Sequence, residues 1–173
     1  MKIAVIGAGA IGNLVAGYLK LKGQDVFLVG RNDSVSVIKE EGLQISGVRN
    51  NFNIKIDVSE RLNRNSDLVI LATKTQDVEA AIKENLSFVK GAAILTTQNG
   101  IQADSVVSQY VPKEKIISSI VMFGATYLEP GKVVHNFEGN WIMGRMFGEN
   151  DGHIARVSEV LNKIFPTVVA ENI

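Results

Sequence analysis

Six residues near the amino terminus, Gly7-Ala8-Gly9-Ala10-Ile11-Gly12, carry the densest chemistry in the chain. Their spacing is GxGxxG, and they stand between an apolar run, Ile3 to Ile6, and a segment whose apolar residues recur at helical spacing. A glycine at the first position permits a tight turn. One at the second lets a pyrophosphate approach the backbone, and one at the third lets the new helix pack against the strand. The free N–H groups and the dipole at that helix start favour an anion. Downstream, Val29 is followed by Gly30-Arg31-Asn32. A carboxylate at this place would hold a ribose 2′-hydroxyl, whereas the guanidinium of Arg31 pairs with a 2′-phosphate. The pattern therefore predicts NADP(H) as the cofactor, although Asp33 close by leaves a solvated Arg31 as an alternative. The apolar run Leu68 to Ala72 ends in Thr73-Lys74-Thr75-Gln76, and Ala92 to Thr96 leads to Gln98-Asn99-Gly100. In an open parallel sheet, ligands lie beyond the carboxyl ends of the strands. Lys74 and Asn99 are thus expected to face the same crevice as the glycine loop.

These residues need a frame, and the rest of the pattern supplies one. Ile11, Leu14, Val15, Tyr18 and Leu19 repeat at helical spacing, and Val26 to Val29 is a second short apolar run. A helix is expected over Ser34 to Glu41, then a hairpin of Leu43–Gly47 and Phe52–Ile56 around Asn50-Asn51. Helices carrying Val78, Ala81, Ile82 and Leu86, and from Ile101 to Tyr110, separate further strands ending with Ile116 to Val121. From Phe123 the pattern becomes antiparallel: Ala125–Leu128, a turn at Glu129-Pro130-Gly131-Lys132, Val133–Phe137 and Trp141–Met146. A last helix holds Ile154, Val157, Val160, Leu161 and Ile164, and Thr167–Ala170 follows. The prediction is an α/β fold: a Rossmann-type doubly wound parallel sheet over residues 1–173, with an antiparallel β-meander extension near the C-terminus that extends or caps the sheet.

Composition narrows the partners. The 173 residues suit one sizeable domain. Lys plus Arg and Asp plus Glu both number 18, so nothing favours nucleic acid or an anionic membrane. With no cysteine and two histidines, a metal centre is not expected. The start of the chain is too soon interrupted by glycine for a signal peptide or membrane span, which points to a cytoplasmic protein. His135, in an alternating strand, is read as structural, and His153 beside Asp151-Gly152 as a solvated helix start. Trp141 and Phe137 are assigned to the core of the meander. Glu138 has no assigned role.

The run MKIAVIGAGAIG, Arg31 after the second strand, the TKTQ and QNG strand ends, and Phe123 to Gly139 with its Pro-Gly turn and Val133-Val134-His135 together resemble the ketopantoate reductase (2-dehydropantoate 2-reductase) family. The resemblance runs over the whole chain. It implies NADPH-dependent reduction of a 2-keto acid, ketopantoate to pantoate, on the way to pantothenate and coenzyme A. It also implies that Gly7, Ala8, Gly9, Ala10, Ile11 and Gly12 hold the pyrophosphate and Arg31 the 2′-phosphate. Lys74 would contact the adenosine side, Asn99 would sit by the nicotinamide ribose and the substrate, and the backbone around Tyr127 would pass the cofactor. Members often carry Gln three residues after the Lys, where this chain has Asp77, so no Gln contact is carried over. Members continue into a helical domain that supplies the catalytic lysine and the substrate-binding residues. The chain ends where that domain is expected, so no catalytic residue is assigned, and residues 1–173 are expected to bind cofactor without turnover. Two alternatives stay open: a nucleotide-sensing regulatory Rossmann module, and another NADP-dependent dehydrogenase with a helical second domain.

Overall fold

The computed structural model describes every residue except Asn172. In chain order the elements are β1 (Lys2–Ile6), α1 (Ala10–Leu21), β2 (Asp25–Val29), α2 (Asn32–Glu41), β3 (Leu43–Gly47), β4 (Phe52–Ile54), β5 (Asp57–Ser59) and β6 (Leu68–Leu71). Next come α3 (Val78–Glu84), α4 (Leu86–Val89), β7 (Ala93–Thr96), α5 (Gln102–Val107) and β8 (Ile116–Val121). The chain closes with β9 (Gly124–Glu129), β10 (Lys132–Phe137), β11 (Trp141–Gly144), α6 (Gly152–Leu161) and β12 (Thr167–Val169).

The main sheet has eight strands in the order β12-β11-β8-β7-β6-β1-β2-β5. Six of them, β5, β2, β1, β6, β7 and β8, are mutually parallel. Counted along the chain, these six lie in the order third, second, first, fourth, fifth, sixth, the doubly wound Rossmann arrangement. β6 and β7 are apolar in nearly every position and buried throughout, as strands covered on both faces must be. β1 shows how the faces divide: Ile3 and Val5 enter the core on the α1 side, Ala4 and Ile6 the core on the α3 and α5 side.

The antiparallel segment does not form one continuous meander. β9 and β10 pair as the predicted hairpin, but β10 then pairs parallel with β3, making a separate four-stranded sheet β4-β3-β10-β9. Only β11 extends the main sheet, antiparallel to β8, with β12 beyond it. The reason lies in α1, which is buried on every face from Gly12 to Leu19. A helix apolar all round needs cover on both sides. The main sheet covers one side and the small sheet the other, with Leu43, Ile45, Ile54 and Val133 in the shared core. A Cβ on Gly17 would lie 2.4 Å from Cδ1 of Ile45, so the small residue sets the helix-to-sheet distance.

Three smaller expectations change. Phe137, assigned to the core, is 56% exposed, whereas Trp141 is fully buried. The strand Asp57–Ser59, too short to show a period, was not foreseen and forms the sheet edge beside β2. His153 is half-buried, its helix capped by Asp151, whose side chain accepts from the His153 and Ile154 N–H groups.

Candidate functional site: a row of strand ends

The carboxyl ends of β2, β1, β6 and β7 stand level. Val29 pairs with Ile6, Ile6 with Leu71, and Leu71 with Thr96, so the loops that follow leave the sheet in one row. With strands about 4.8 Å apart, the row from β2 to β7 spans roughly 14 Å. The chain crosses over between β1 and β6, where the strand order reverses. A crevice outside the strands forms at such a point.

The glycine loop occupies the middle of the row. Gly7 has φ +117°, and its N–H donates to the Val29 carbonyl. A Cβ there would lie 2.7 Å from the Ala72 carbonyl group, so the turn runs directly against β6. A Cβ on Gly12 would come within 1.7 Å of the Gly7 oxygen, which is how closely α1 seats on its own loop. Gly9 differs: a Cβ there meets nothing within 4 Å. Its missing side chain is not needed by the fold, and the space above it is open. Gly9 caps α1 without a side-chain hydrogen bond, and the first intrahelical bond runs from the Asn13 N–H to the Gly9 carbonyl. The N–H groups of the first helical turn are therefore available to an anion, with the helix dipole behind them. These features fit a dinucleotide pyrophosphate.

Arg31 follows β2 as the residue before α2, with its side chain 87% exposed. Gly30 lies under the loop, where a Cβ would stand 2.7 Å from that of Ala8. Lys74 is exposed at the start of the 3-10 turn Thr75–Asp77 after β6. Asn99 is exposed after β7, just before Gly100 with φ +86°. Arg31, the glycine loop, Lys74 and Asn99 thus come to one row. Tyr127 is placed on β9, the edge strand of the small sheet, and is 38% exposed. The part of β9 that packs on the α1 core is Ala125, two residues earlier.

A residue without an assigned role holds the row together. The buried Gln98 amide donates from Nε2 to the Leu71 carbonyl at 3.1 Å and the Thr73 carbonyl at 2.7 Å. Thr97 Oγ1 donates to the Leu71 carbonyl as well, at 2.9 Å. The chain after β7 therefore grips the chain after β6 and sets Lys74 relative to Asn99. Below it, the buried Asp104 accepts from Thr96 Oγ1 at 2.6 Å and Ser118 Oγ at 2.7 Å, tying α5 to β7 and β8. Only the glutamine immediately before Asn-Gly hinted at this brace, since a primary amide can donate twice.

Neither histidine lies at the row. His135 is fully buried; its Nε2 lies 3.0 Å from the Phe137 carbonyl and its Nδ1 2.9 Å from Tyr18 Oη. A carbonyl only accepts, so the hydrogen is on Nε2 and Tyr18 donates to Nδ1. Burial holds the imidazole pKa below its ordinary value, in keeping with this neutral form. Glu138, next to this cluster, pairs with Arg49, whose guanidinium lies over the Tyr18 and Phe165 rings at 4.8 and 4.6 Å. His153 lines a small cavity with Met1, Ser66, Asp67 and Gly91, residues that precede strands, and so lies at the opposite end of the sheet. Among the described residues there is no group of three or more His, Cys, Asp or Glu that could hold a metal, and no helix is long and apolar enough to cross a membrane.

The fold and the row of strand ends define a Rossmann-type α/β domain with its glycine turn at the point where the strand order reverses. More narrowly, the profile of the family described as ketopantoate reductase PanE/ApbA matches residues 3–148, and the chain belongs to that family. It is 37% identical over its whole length to 2-dehydropantoate 2-reductase of Pyrococcus abyssi and 34% identical to that of Pyrococcus horikoshii, covering 57% of each. Its fold matches 99% of the chain to 2-dehydropantoate 2-reductase of Geobacter metallireducens with a TM-score of 0.91 at 24% identity, covering 58% of that protein. D-mandelate dehydrogenase, solved with NADH and anilino(oxo)acetate, matches with a TM-score of 0.90 at 26% identity, again over 58% of its length. The chain therefore spans a little over half the length of these relatives.

Proposed function

We propose that this chain binds NADPH and is the cofactor-binding part of an enzyme that reduces a 2-keto acid, 2-dehydropantoate to pantoate, in pantothenate and coenzyme A formation in the cytoplasm. The observation that carries this is the uncapped glycine turn beside an exposed arginine at the end of β2. Gly7, Ala8, Gly9, Ala10, Ile11 and Gly12 hold the pyrophosphate through backbone N–H groups. Arg31 takes the 2′-phosphate, Lys74 the adenosine side, and Asn99 the nicotinamide ribose and the keto acid. The backbone near Tyr127 passes along the cofactor.

The bound cofactor supplies a hydride. The keto acid also needs a proton donor for its developing alkoxide and an anchor for its carboxylate. His135 is committed to Tyr18 and Phe137, and His153 lies at the far end of the sheet. We assign both tasks to a helical domain following residue 173, in keeping with the greater length of the relatives. The residues described here bind and orient; they do not move the proton.

Paired titrations with NADPH and NADH, repeated on Arg31→Ala, test the cofactor assignment. A charge-assisted phosphate contact contributes about 1.5–3 kcal/mol, so NADPH should be favoured roughly ten- to a hundred-fold, and the substitution should remove the preference. Equal or better binding of NADH by the wild-type protein would overturn it. The likeness to D-mandelate dehydrogenase favours a second reading within the same reaction class, a different 2-keto acid as substrate. Initial rates with ketopantoate and with an aryl 2-keto acid, on the protein with its following domain, separate the two.

A further inference from the structure

Arg31 and Asp77 meet across strands that are not neighbours. Arg31 follows β2 and Asp77 follows β6, with β1 between them, yet Nη2 of Arg31 lies 3.9 Å from Oδ2 of Asp77. A contact between those two loops must pass over the end of β1, that is, over the glycine turn. Among the described residues this is the one ion pair Arg31 makes. The two ends of the pair differ in freedom. The Arg31 side chain is 87% exposed, a long arm in solvent. Asp77 is 40% exposed and stands on a fixed base. Its N–H donates to the Lys74 carbonyl, Val78 after it is fully buried, and the Gln98 amide grips the Thr73 carbonyl before it.

Arg31 and Asp33 follow β2, Lys74 and Asp77 follow β6, and Glu60 and Arg61 follow Ser59, whose carbonyl accepts from the Gly30 N–H, so each loop carries both signs; Asp33 is turned to its own helix start through the Ser34 N–H. A phosphomonoester brings close to two negative charges into reach of Arg31 and within a few ångströms of the Asp77 carboxylate. A bare ribose 2′-hydroxyl brings no charge and can donate to a carboxylate.

We propose that Asp77 is a specificity-determining residue of this site: its carboxylate competes with a ribose 2′-phosphate for Arg31 and narrows the preference for NADPH over NADH. The proposal rests on the cofactor reading above and adds a residue that limits it.

Binding titrations of NADPH and NADH to the wild-type protein, Asp77→Asn, Arg31→Ala and the double variant test this, with thermal unfolding as the check on folding. Asparagine keeps the shape and removes the charge. The attraction between Arg31 and one unit charge a few ångströms away in a water-like medium, given up when a phosphate takes the arginine, corresponds to about five-fold in NADPH affinity. Asp77→Asn should therefore tighten NADPH by about that factor and leave NADH within about two-fold, and the gain should shrink as salt is raised. On the Arg31→Ala background the gain should fall below about two-fold, because the competition has lost its object. Asp77→Asn that leaves the NADPH-to-NADH ratio unchanged, while Arg31→Ala abolishes the preference, overturns the role of Asp77 and keeps the cofactor reading. A gain of equal size without Arg31 overturns the competition. No preference in the wild-type protein and no response to either substitution overturns both.

Discussion

Gly9, which caps α1, and Gly12, in its first turn, lie three residues apart, and removing either glycine should have opposite consequences. Gly9 has φ −87° and open space where a Cβ would stand, so Gly9→Ala should unfold at the wild-type temperature. Its methyl group would project into that open space, where the proposed function puts the pyrophosphate, and NADPH affinity should fall by roughly ten-fold or more, in line with the loss of a charge-assisted contact. Gly12→Ala would set a Cβ 1.7 Å from the Gly7 oxygen, and α1 must lift off its strand to admit it. The expected loss of stability is about 1–3 kcal/mol, the usual scale of overpacking, visible as a lowered denaturation midpoint. Calorimetry and cofactor titration on the two variants check both outcomes; a destabilised Gly9→Ala would show that its side-chain space belongs to the fold. The places of both glycines, Arg31, Lys74 and Asn99 at strand ends were legible in the sequence because each stands close to a strand whose apolar run marks its end. Asp77 as a partner of Arg31 was not. The two lie 46 positions apart in number, and only the parallel pairing of β2, β1 and β6 brings them together.

At the scale of elements, the brace from Gln98 and the buried Tyr18–His135 bond decide how the pieces sit. Gln98→Ala strips a donor from the Leu71 and Thr73 carbonyls at the end of β6. The cost should be about 1–3 kcal/mol of stability, together with weaker NADPH binding because Lys74 and Asn99 lose their common support. A chemical denaturation curve and a cofactor titration measure the two effects; unchanged binding would mean that the loops hold their places without it. His135 predicts a dependence on pH. Burial lowers its folded pKa below the unfolded value, so the unfolded chain binds more protons between the two. Stability is thus complete above the unfolded histidine value of about 6.5 and falls as pH drops below it. His153 is shifted in the same direction by its own burial and by the nearby cations Arg156 and Arg145. Denaturation midpoints from pH 8 to pH 5 should decline for the wild type, and His135→Gln, which can still accept from Tyr18 and donate to Phe137, should decline less. Identical slopes would remove His135 as a cause. The alternating strand correctly marked His135 as structural, but its partner lies on α1, 117 residues away, and no local pattern announces that.

For the whole molecule, the proposed division of labour gives the simplest outcome to check. Residues 1–173 should bind NADPH and show no ketopantoate-dependent oxidation of it in a spectrophotometric assay, since neither histidine stands at the row of strand ends and its lysine, Lys74, is assigned to the cofactor. Measurable turnover by these residues would place the missing acid within them and would turn attention to Lys74, exposed beside the glycine turn.

What the sequence determined by itself is whatever depends on near neighbours. Apolar runs of strand length and helical spacing after the glycine turn were sufficient for the doubly wound core and for the places of the glycine turn, Arg31, Lys74 and Asn99 at its strand ends. These signals are local because a strand or a helical face declares itself within a few residues. The tertiary structure decided which strands pair. The hairpin β9–β10 carries the same alternating pattern whether it joins the main sheet or β3. What sends it to β3 is the outer face of α1, which must be covered and lies more than a hundred residues earlier in the chain. The same holds for Gln98 on the carbonyls after β6 and for Asp77 on Arg31: each side chain could serve many partners, and the sheet order leaves one within reach.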